Sequence, residues 1–143
     1  MKLEEFKGKS VVVTGAGAGM GKAITQGFLE NGATVIGVDI KEEALSAFKE
    51  ELKKSDVETA ERFIPLTGDI SKEATNEAMI QKALDVTGKI DILVNNAGVA
   101  GHSEPVTETT NEDWDRILRV NLDGPMYAIR AAVRQMLRQD NGG

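Results

Sequence analysis

The sequence predicts an α/β fold: one doubly wound parallel sheet with helices on both faces. Three observations carry that expectation. Four short apolar, β-branched runs recur along the chain, at Val11–Thr14, Thr34–Asp39, Phe63–Leu66 and Ile90–Asn95. The segments between them place apolar residues at helical spacing. The first run passes through a glycine-dense turn, Gly15 to Gly21, into one of those segments. Strands alternating with helices imply βαβ units and right-handed crossovers. No repeat, low-complexity tract or linker interrupts the 143 residues, so residues 1–143 read as a single domain.

Taken in order, the first helix is expected to carry Met20, Ile24 and Phe28 at i, i+4, i+8 on its packed face. The second carries Leu45, Phe48 and Leu52 at i, i+3, i+7. Ser71 is the expected N-cap of the third, whose apolar side includes Ile80, Ala83 and Leu84. Pro65 lies inside the third strand and has no N–H for a ladder, so that strand belongs at a sheet edge. The order 3-2-1-4 puts it there, whereas 2-1-3-4 would bury it in mid-sheet. A fourth, longer helix should begin near Thr109 or Thr110, where Thr109-Thr110-Asn111-Glu112 has capping-box spacing. Asp113 and Asp115 near its start, and Arg130, Arg134 and Arg138 towards its end, suit the helix dipole. Asp140-Asn141-Gly142-Gly143 then reads as a helix stop and turn.

Composition removes several function classes. The formal net charge of −6 argues against nucleic acid or an anionic membrane as partner. With no cysteine and a single histidine, His102, neither disulfide, thiol nor metal chemistry is expected. No run approaches a membrane span, and residues 1–7 lack an apolar segment of signal-peptide length, so the expectation is a cytoplasmic protein.

The glycine turn does not fit G-x-G-x-x-G, because a start at Gly15 and Gly17 would put Met20 in the third position. Gly15, Gly19 and Gly21 instead fit T-G-x-x-x-G-x-G from Thr14. A strand before it and an amphipathic helix after it are the context in which backbone N–H groups at a helix N-terminus hold a diphosphate. A plain strand-to-helix turn is the other reading. Asp39 ends the second strand 20 residues after Gly19. A carboxylate there can accept ribose hydroxyls and repel a 2′-phosphate, or simply cap the following helix.

Four stretches in register are similar to the classical short-chain dehydrogenase/reductase family: Thr14 to Gly21, Gly68-Asp69-Ile70, Asn95-Asn96-Ala97-Gly98 and Val120-Asn121. The resemblance spans essentially the whole chain and implies a Rossmann-like sheet and NAD as cofactor. It implies cofactor contacts from Gly15, Ala18, Gly19 and Met20 in the loop, and from Asp39 and Ile40 after the second strand. Asp69 and Ile70 follow the third strand, Asn95, Ala97 and Gly98 the fourth, and Val120 sits in the long helix. Asn121 matches the catalytic tetrad asparagine. Pro125, four residues on, has no N–H, so the Asn121 carbonyl is free to hold a water or a side chain, and the resemblance implies its use in a proton relay through a water. Alternatively Gly124-Pro125 merely kinks the helix.

In the family a Ser on the next strand and a Tyr-x-x-x-Lys on the next helix complete the site. Neither is present: Tyr127 is the only tyrosine, and Ala131 stands where the lysine would be. The chain therefore resembles the cofactor half of a hydride-transfer enzyme, truncated before its fifth strand. An alcohol or carbonyl is the implied small-molecule substrate of the parent, with a 3-oxoacyl thioester as one option within the family. A non-catalytic nucleotide-binding or interaction module is the alternative. His102 and Ser103 are expected to be solvated, with no acidic partner at a recognisable spacing, and Trp114 to be a packing residue. The outer edge of the fourth strand should be unpaired and Ile117, Leu118 and Met136 partly uncovered, which predicts a homo-oligomer, or else weak stability as an isolated monomer.

Overall fold

The computed structural model describes residues 4–143. Four parallel strands, β1 (Ser10–Thr14), β2 (Thr34–Asp39), β3 (Phe63–Thr67) and β4 (Ile92–Val94), lie in the order β3-β2-β1-β4. The expected doubly wound order is the observed one. β1 is buried along its whole length. Its consecutive valines explain how: Val11 and Val13 pack on one face of the sheet, Val12 on the other. Such a strand needs no polar alternation, because helices cover both faces.

On one face lie α1 (Gly19–Glu30), α2 (Glu42–Ser55) and the short α3 (Val57–Glu61). Leu45, Phe48 and Leu52 form the buried stripe of α2, and the Phe48 ring meets that of Phe63 at 4.9 Å. On the other face α4 (Glu73–Thr87) and the last helix bury Met79, Ile80, Ala83, Ala128 and Ala132 against Val12, Ile36 and Val38. In α1 the expectation for Met20 fails. It is 77% exposed, while Leu29 is buried and Ile24 and Phe28 pack beside it.

Pro65 acts as the sequence implied. The Val35 N–H donates to the Arg62 carbonyl, so by strand alternation Ile64 and Leu66 turn their backbone groups to β2. Pro65 then presents its missing N–H to the open edge, where nothing is lost.

Ser71 does not cap α4. The carboxylate of Asp69 takes the Ser71 N–H at 2.9 Å, which closes a turn, and the helix starts two residues later with Lys72 at its N-cap. The long fourth helix is two α segments, α5 (Asn111–Leu118) and α6 (Gly124–Met136), joined by a π turn over Arg119–Asp123. Pro125 stands at the start of α6 with no N–H, and the ladder widens just before it, Gly124 donating to the Arg119 carbonyl. Thr110 is the N-cap of α5, accepting the Asp113 N–H at 3.1 Å. The cap thus falls one residue beyond the Thr109–Glu112 box.

β4 is shorter than the expected run, although Asp91 already donates to the Ser10 carbonyl. Its outer edge is partly closed. The Gln139 side-chain amide accepts from the Ile90 N–H at 2.8 Å and donates to the Ile90 carbonyl at 2.9 Å, standing in for one residue of a neighbouring strand. Ile92 and Val94, alternating with Asp91, face that same edge, and no strand pairs with them there among the described residues. The uncovered apolar surface extends beyond the residues expected. Ile117, Leu118 and Met136 are half-buried, while Leu122, Met126, Ile129, Val133 and Leu137 form the exposed stripe. Trp114 is 56% exposed and is not a packing residue.

Candidate functional site

The C-terminal ends of β1, β2, β3 and β4 open onto one cleft of about 500 Å³. A parallel sheet directs all these ends, and the loops that follow, to a single side. Of the cofactor residues expected from the sequence, all but Asn95 line the cleft. Its neighbour Asn96 lines it instead, together with Gly68 of the Gly68-Asp69-Ile70 stretch and with Lys41, Ala44 and Val99, which carried no expectation.

The floor is the β1–α1 turn. Gly19 has a left-handed φ of +53° and only open space where a Cβ would stand. Gly21 approaches the Gly15 carbonyl so closely that any side chain there would overlap it. α1 begins without help from a side chain: its N-cap is Ala18, and no acidic residue lies in its first turn. The helix thus offers its first N–H groups and the positive end of its dipole to the cleft with no side-chain cap and no acidic residue in its first turn to match them. A group carrying negative oxygens fits that floor.

The β1 and β4 ends are tied together across the cleft. Thr14 Oγ1 accepts the N–H groups of Asn96 and Ala97, each at 3.1 Å. Asn96 Nδ2 donates to the Thr14 carbonyl at 3.0 Å and to that of Gly15 at 3.4 Å. In the Asn95-Asn96 pair, only the second asparagine turns back onto β1. Asn95 is exposed.

At the β2 end, Asp39 Oδ2 accepts the Gly17 N–H at 2.9 Å and Oδ1 accepts the Lys41 N–H at 3.0 Å. Across from it Asp69 closes the turn described above, and Ile70 is buried with its neighbours in the core. Two large apolar side chains, Met20 and Ile40 (64% exposed), stand at the mouth without protein cover. An apolar surface exposed beside a polar floor is what a partly aromatic ligand would cover.

Asn121 sits in the π turn, outside the cleft wall. Its side chain clamps the loop after β4 at both polar backbone groups of Val99, accepting the N–H and donating to the carbonyl, each at 2.8 Å. Arg116 adds a bond to the Ala100 carbonyl at 3.1 Å. Asp113, buried and paired with Arg116 at 2.5 Å, is held below the usual carboxylate range, chiefly by that hydrogen bond. His102 has an acidic neighbour after all: its Nδ1 lies 3.5 Å from Asp113 Oδ2. The spacing from 102 to 113 gave no signal, because the loop and helix meet only in the fold. Glu104 completes a group whose ligand atoms lie within 4.8 Å of one another.

The family model for short chain dehydrogenase matches residues 9–143. The chain is 38% identical over 136 residues to 3beta-hydroxysteroid dehydrogenase 2 of Eggerthella lenta, covering 95% of this chain and 51% of that protein. A short chain dehydrogenase/reductase from Burkholderia phymatum, solved in complex with NAD, superposes with a TM-score of 0.86 at 33% identity. That match covers 94% of this chain and 46% of the other. The 3-ketoacyl-(acyl-carrier-protein) reductase of Brucella melitensis, solved with NADH, gives 0.83 at 32% identity over 93% of this chain and 52% of the other. The chain spans about half the length of the curated relatives it matches. It belongs to the short chain dehydrogenase family.

Proposed function

We propose that this chain is the NAD-binding part of an oxidoreductase that moves hydride between the nicotinamide and an alcohol or carbonyl carbon. One observation supports the reading above others. The uncapped first turn of α1 and the carboxylate of Asp39 face a single cleft, one suited to a diphosphate and the other to a ribose diol. When bound, the nicotinamide supplies the hydride donor or acceptor.

The chain's own residues would do the following. Gly15, Ala18, Gly19 and Met20 shape the floor for the diphosphate. Asp39, with Ile40 beside it, accepts the adenosine-side ribose hydroxyls and disfavours a 2′-phosphate, which makes NAD the preferred cofactor over NADP. Asp69 and Ile70 border the adenine, and Asn95, Ala97, Gly98 and Val120 the path towards the nicotinamide. Asn121 fixes the Val99 loop through its side chain and, with Pro125 depriving the next turn of an N–H, offers its carbonyl to a water in a proton relay. No Tyr-x-x-x-Lys is present in these residues, so the 143-residue chain binds nucleotide without turning substrate over. The Leu122 to Leu137 stripe supports a homo-oligomeric parent.

Calorimetric titration of the chain with NAD and NADP tests this. NAD should bind more tightly, and Asp39→Ala should weaken NAD while narrowing the gap. NADH absorbance with a panel of ketones should stay flat. NADP binding as tight as NAD would overturn the cofactor assignment, and turnover that survives repurification would overturn the claim of inactivity.

A further inference from the structure

Asn76, in the first turn of α4, has no solvent exposure, and its amide is only half used. Its Nδ2 donates to the Ile70 carbonyl at 2.7 Å and to the Lys72 carbonyl at 2.9 Å. Two carbonyl oxygens can be met only by the amide nitrogen, so the orientation of the group is forced. Its Oδ1 is then left buried with no protein donor among the described residues. An unpaired buried acceptor costs stability, and an apolar side chain in line with Met79, Ile80 and Ala83 would avoid that cost. The two donated bonds are what an apolar residue could not supply.

Those bonds act on a turn at the wall of the cleft. The Lys72 N–H donates to the Asp69 carbonyl at 3.0 Å, closing a β-turn with Ile70 and Ser71 at its centre. The peptide between these two is held on both sides. Asp69 Oδ1 accepts the Ser71 N–H at 2.9 Å, and Asn76 donates to the Ile70 carbonyl. The Lys72 carbonyl also accepts the Thr75 N–H, but among the described residues Asn76 is the one donor to the Ile70 carbonyl. From the other side α6 backs that oxygen so closely that a Cβ on Gly124 would stand 3.0 Å from it. The Ile70 side chain is packed in the core, so what this residue offers the cleft is its backbone. Its N–H donates to no group among the described residues. A free N–H thus stands next in sequence to the Asp69 carboxylate, a donor beside an acceptor. An exocyclic amine beside a bare ring nitrogen, as adenine carries, is the complementary pair.

We propose that Asn76 is a positioning residue for base recognition: by holding the Ile70 carbonyl from the buried side of α4, it sets the Asp69–Lys72 turn so that the Asp69 carboxylate and the Ile70 N–H read the base as adenine. The inference rests on the NAD reading above and adds to it a residue that lines no part of the cleft. Without the Asn76 donor the Ile70 carbonyl is left unpaired against α6, and the turn gains by tilting that peptide towards water. The tilt carries the Ile70 N–H and the Asp69 side chain with it.

Asn76→Leu is close in size, lacks the donors and removes the unpaired oxygen. The chain and this variant, checked for fold by circular dichroism, are titrated calorimetrically with ADP and inosine diphosphate. The two ligands share ribose and diphosphate and differ only in the base. Hypoxanthine has an oxo group in place of the amine and an N–H at the ring nitrogen, so wild type should favour ADP. In Asn76→Leu the ADP affinity should fall by about three- to tenfold, the value of one neutral hydrogen bond, while inosine diphosphate binds as before and the ratio closes. In wild type the Asn76 side-chain amide protons, followed by nuclear magnetic resonance, should exchange slowly and shift more with ADP than with inosine diphosphate. A folded Asn76→Leu chain that keeps the wild-type ratio, or weakens both ligands by one common factor, makes Asn76 a packing residue and overturns the proposal. If Asn76→Leu does not fold, the wild-type amide signals decide alone, and equal shifts with both ligands overturn it. A wild type without preference for ADP refutes the adenine assignment of Asp69 and Ile70 itself, and the proposal with it.

Discussion

Asp91 is where sequence, sheet and surface charge meet, and its removal should be costly. It lies just before β4 and is 8% exposed. Its Oδ2 accepts the N–H of Ser10, a residue with no exposure at the start of β1, at 2.8 Å. Lys89 Nζ lies 2.9 Å from Oδ2 and Lys9 Nζ 3.6 Å from Oδ1, while Asn141 donates to Oδ1 at 3.0 Å. Asp91→Ala leaves the Ser10 N–H buried without an acceptor, which costs about 1–3 kcal/mol. The two lysine pairs are partly exposed and add at most about 1 kcal/mol each. A loss of about 2–4 kcal/mol is a large share of the roughly 5–15 kcal/mol that holds a domain folded. With a urea dependence of about 1–3 kcal/mol per molar, the midpoint should fall by roughly 1–2 M.

The pH dependence gives a second handle on the same group. Burial by itself would raise the Asp91 pKa, but the Ser10 N–H and the charges of Lys89 and Lys9 outweigh it and hold the group below the usual carboxylate value. A carboxyl depressed in the folded state contributes stability that is fully present above its unfolded pKa, about 3.9. That contribution disappears as pH falls through the folded value. Urea melts of wild type and Asp91→Asn, followed by far-ultraviolet circular dichroism, should therefore differ by a constant amount from pH 7 to about 5. The difference should then narrow below about pH 4. Equal midpoints for wild type and Asp91→Ala at pH 7, or a gap that stays constant down to pH 2.5, would refute the reasoning.

Two further outcomes follow from the cleft and the surface. Asn96→Ala removes the donor to the Thr14 and Gly15 carbonyls, so it should cost about 1–2 kcal/mol in a urea melt. It should also weaken NAD titration by loosening Gly15, and an unchanged melt and affinity would show that the tie is idle. The Leu122, Met126, Ile129, Val133 and Leu137 stripe, with the open side of Ile92 and Val94, should make the chain self-associate at micromolar concentration. Ile129→Glu should reduce the mass seen by light scattering, whereas a wild-type chain that elutes as a strict monomer refutes the expectation.

The fold was legible because its signals are local or topological. Runs such as Val11 to Thr14 are apolar on both faces, and only a sheet covered on both sides accepts them. Pro65 set the strand order by what it lacks. What the sequence concealed were helix starts and the interior of the long helix. Ser71 has the right chemistry for an N-cap, but the turn closed on the Asp69 carboxylate includes it, and the helix begins only after Lys72. Thr109 and Thr110 are chemically equivalent caps, so the sequence left both open, and the structure uses Thr110. Pro125 signalled a break in the ladder without saying that a π turn would absorb it.

The candidate site divides along the same line. Positions at strand ends were readable because a parallel sheet sends every such end to one side, so register along the chain becomes proximity in space. Side-chain direction was not readable. Asn95 and Asn96 are identical letters, and which one reaches Thr14 depends on where β4 ends and how the backbone turns after Val94. Gly17 looked like a spare glycine because the motif was satisfied without it, and its neighbours Asp39 and Ala44 come from the next strand and helix. His102 and Asp113 were invisible as a pair for the same reason. The contacts that shape this cleft are therefore pairs between elements, not motifs within one.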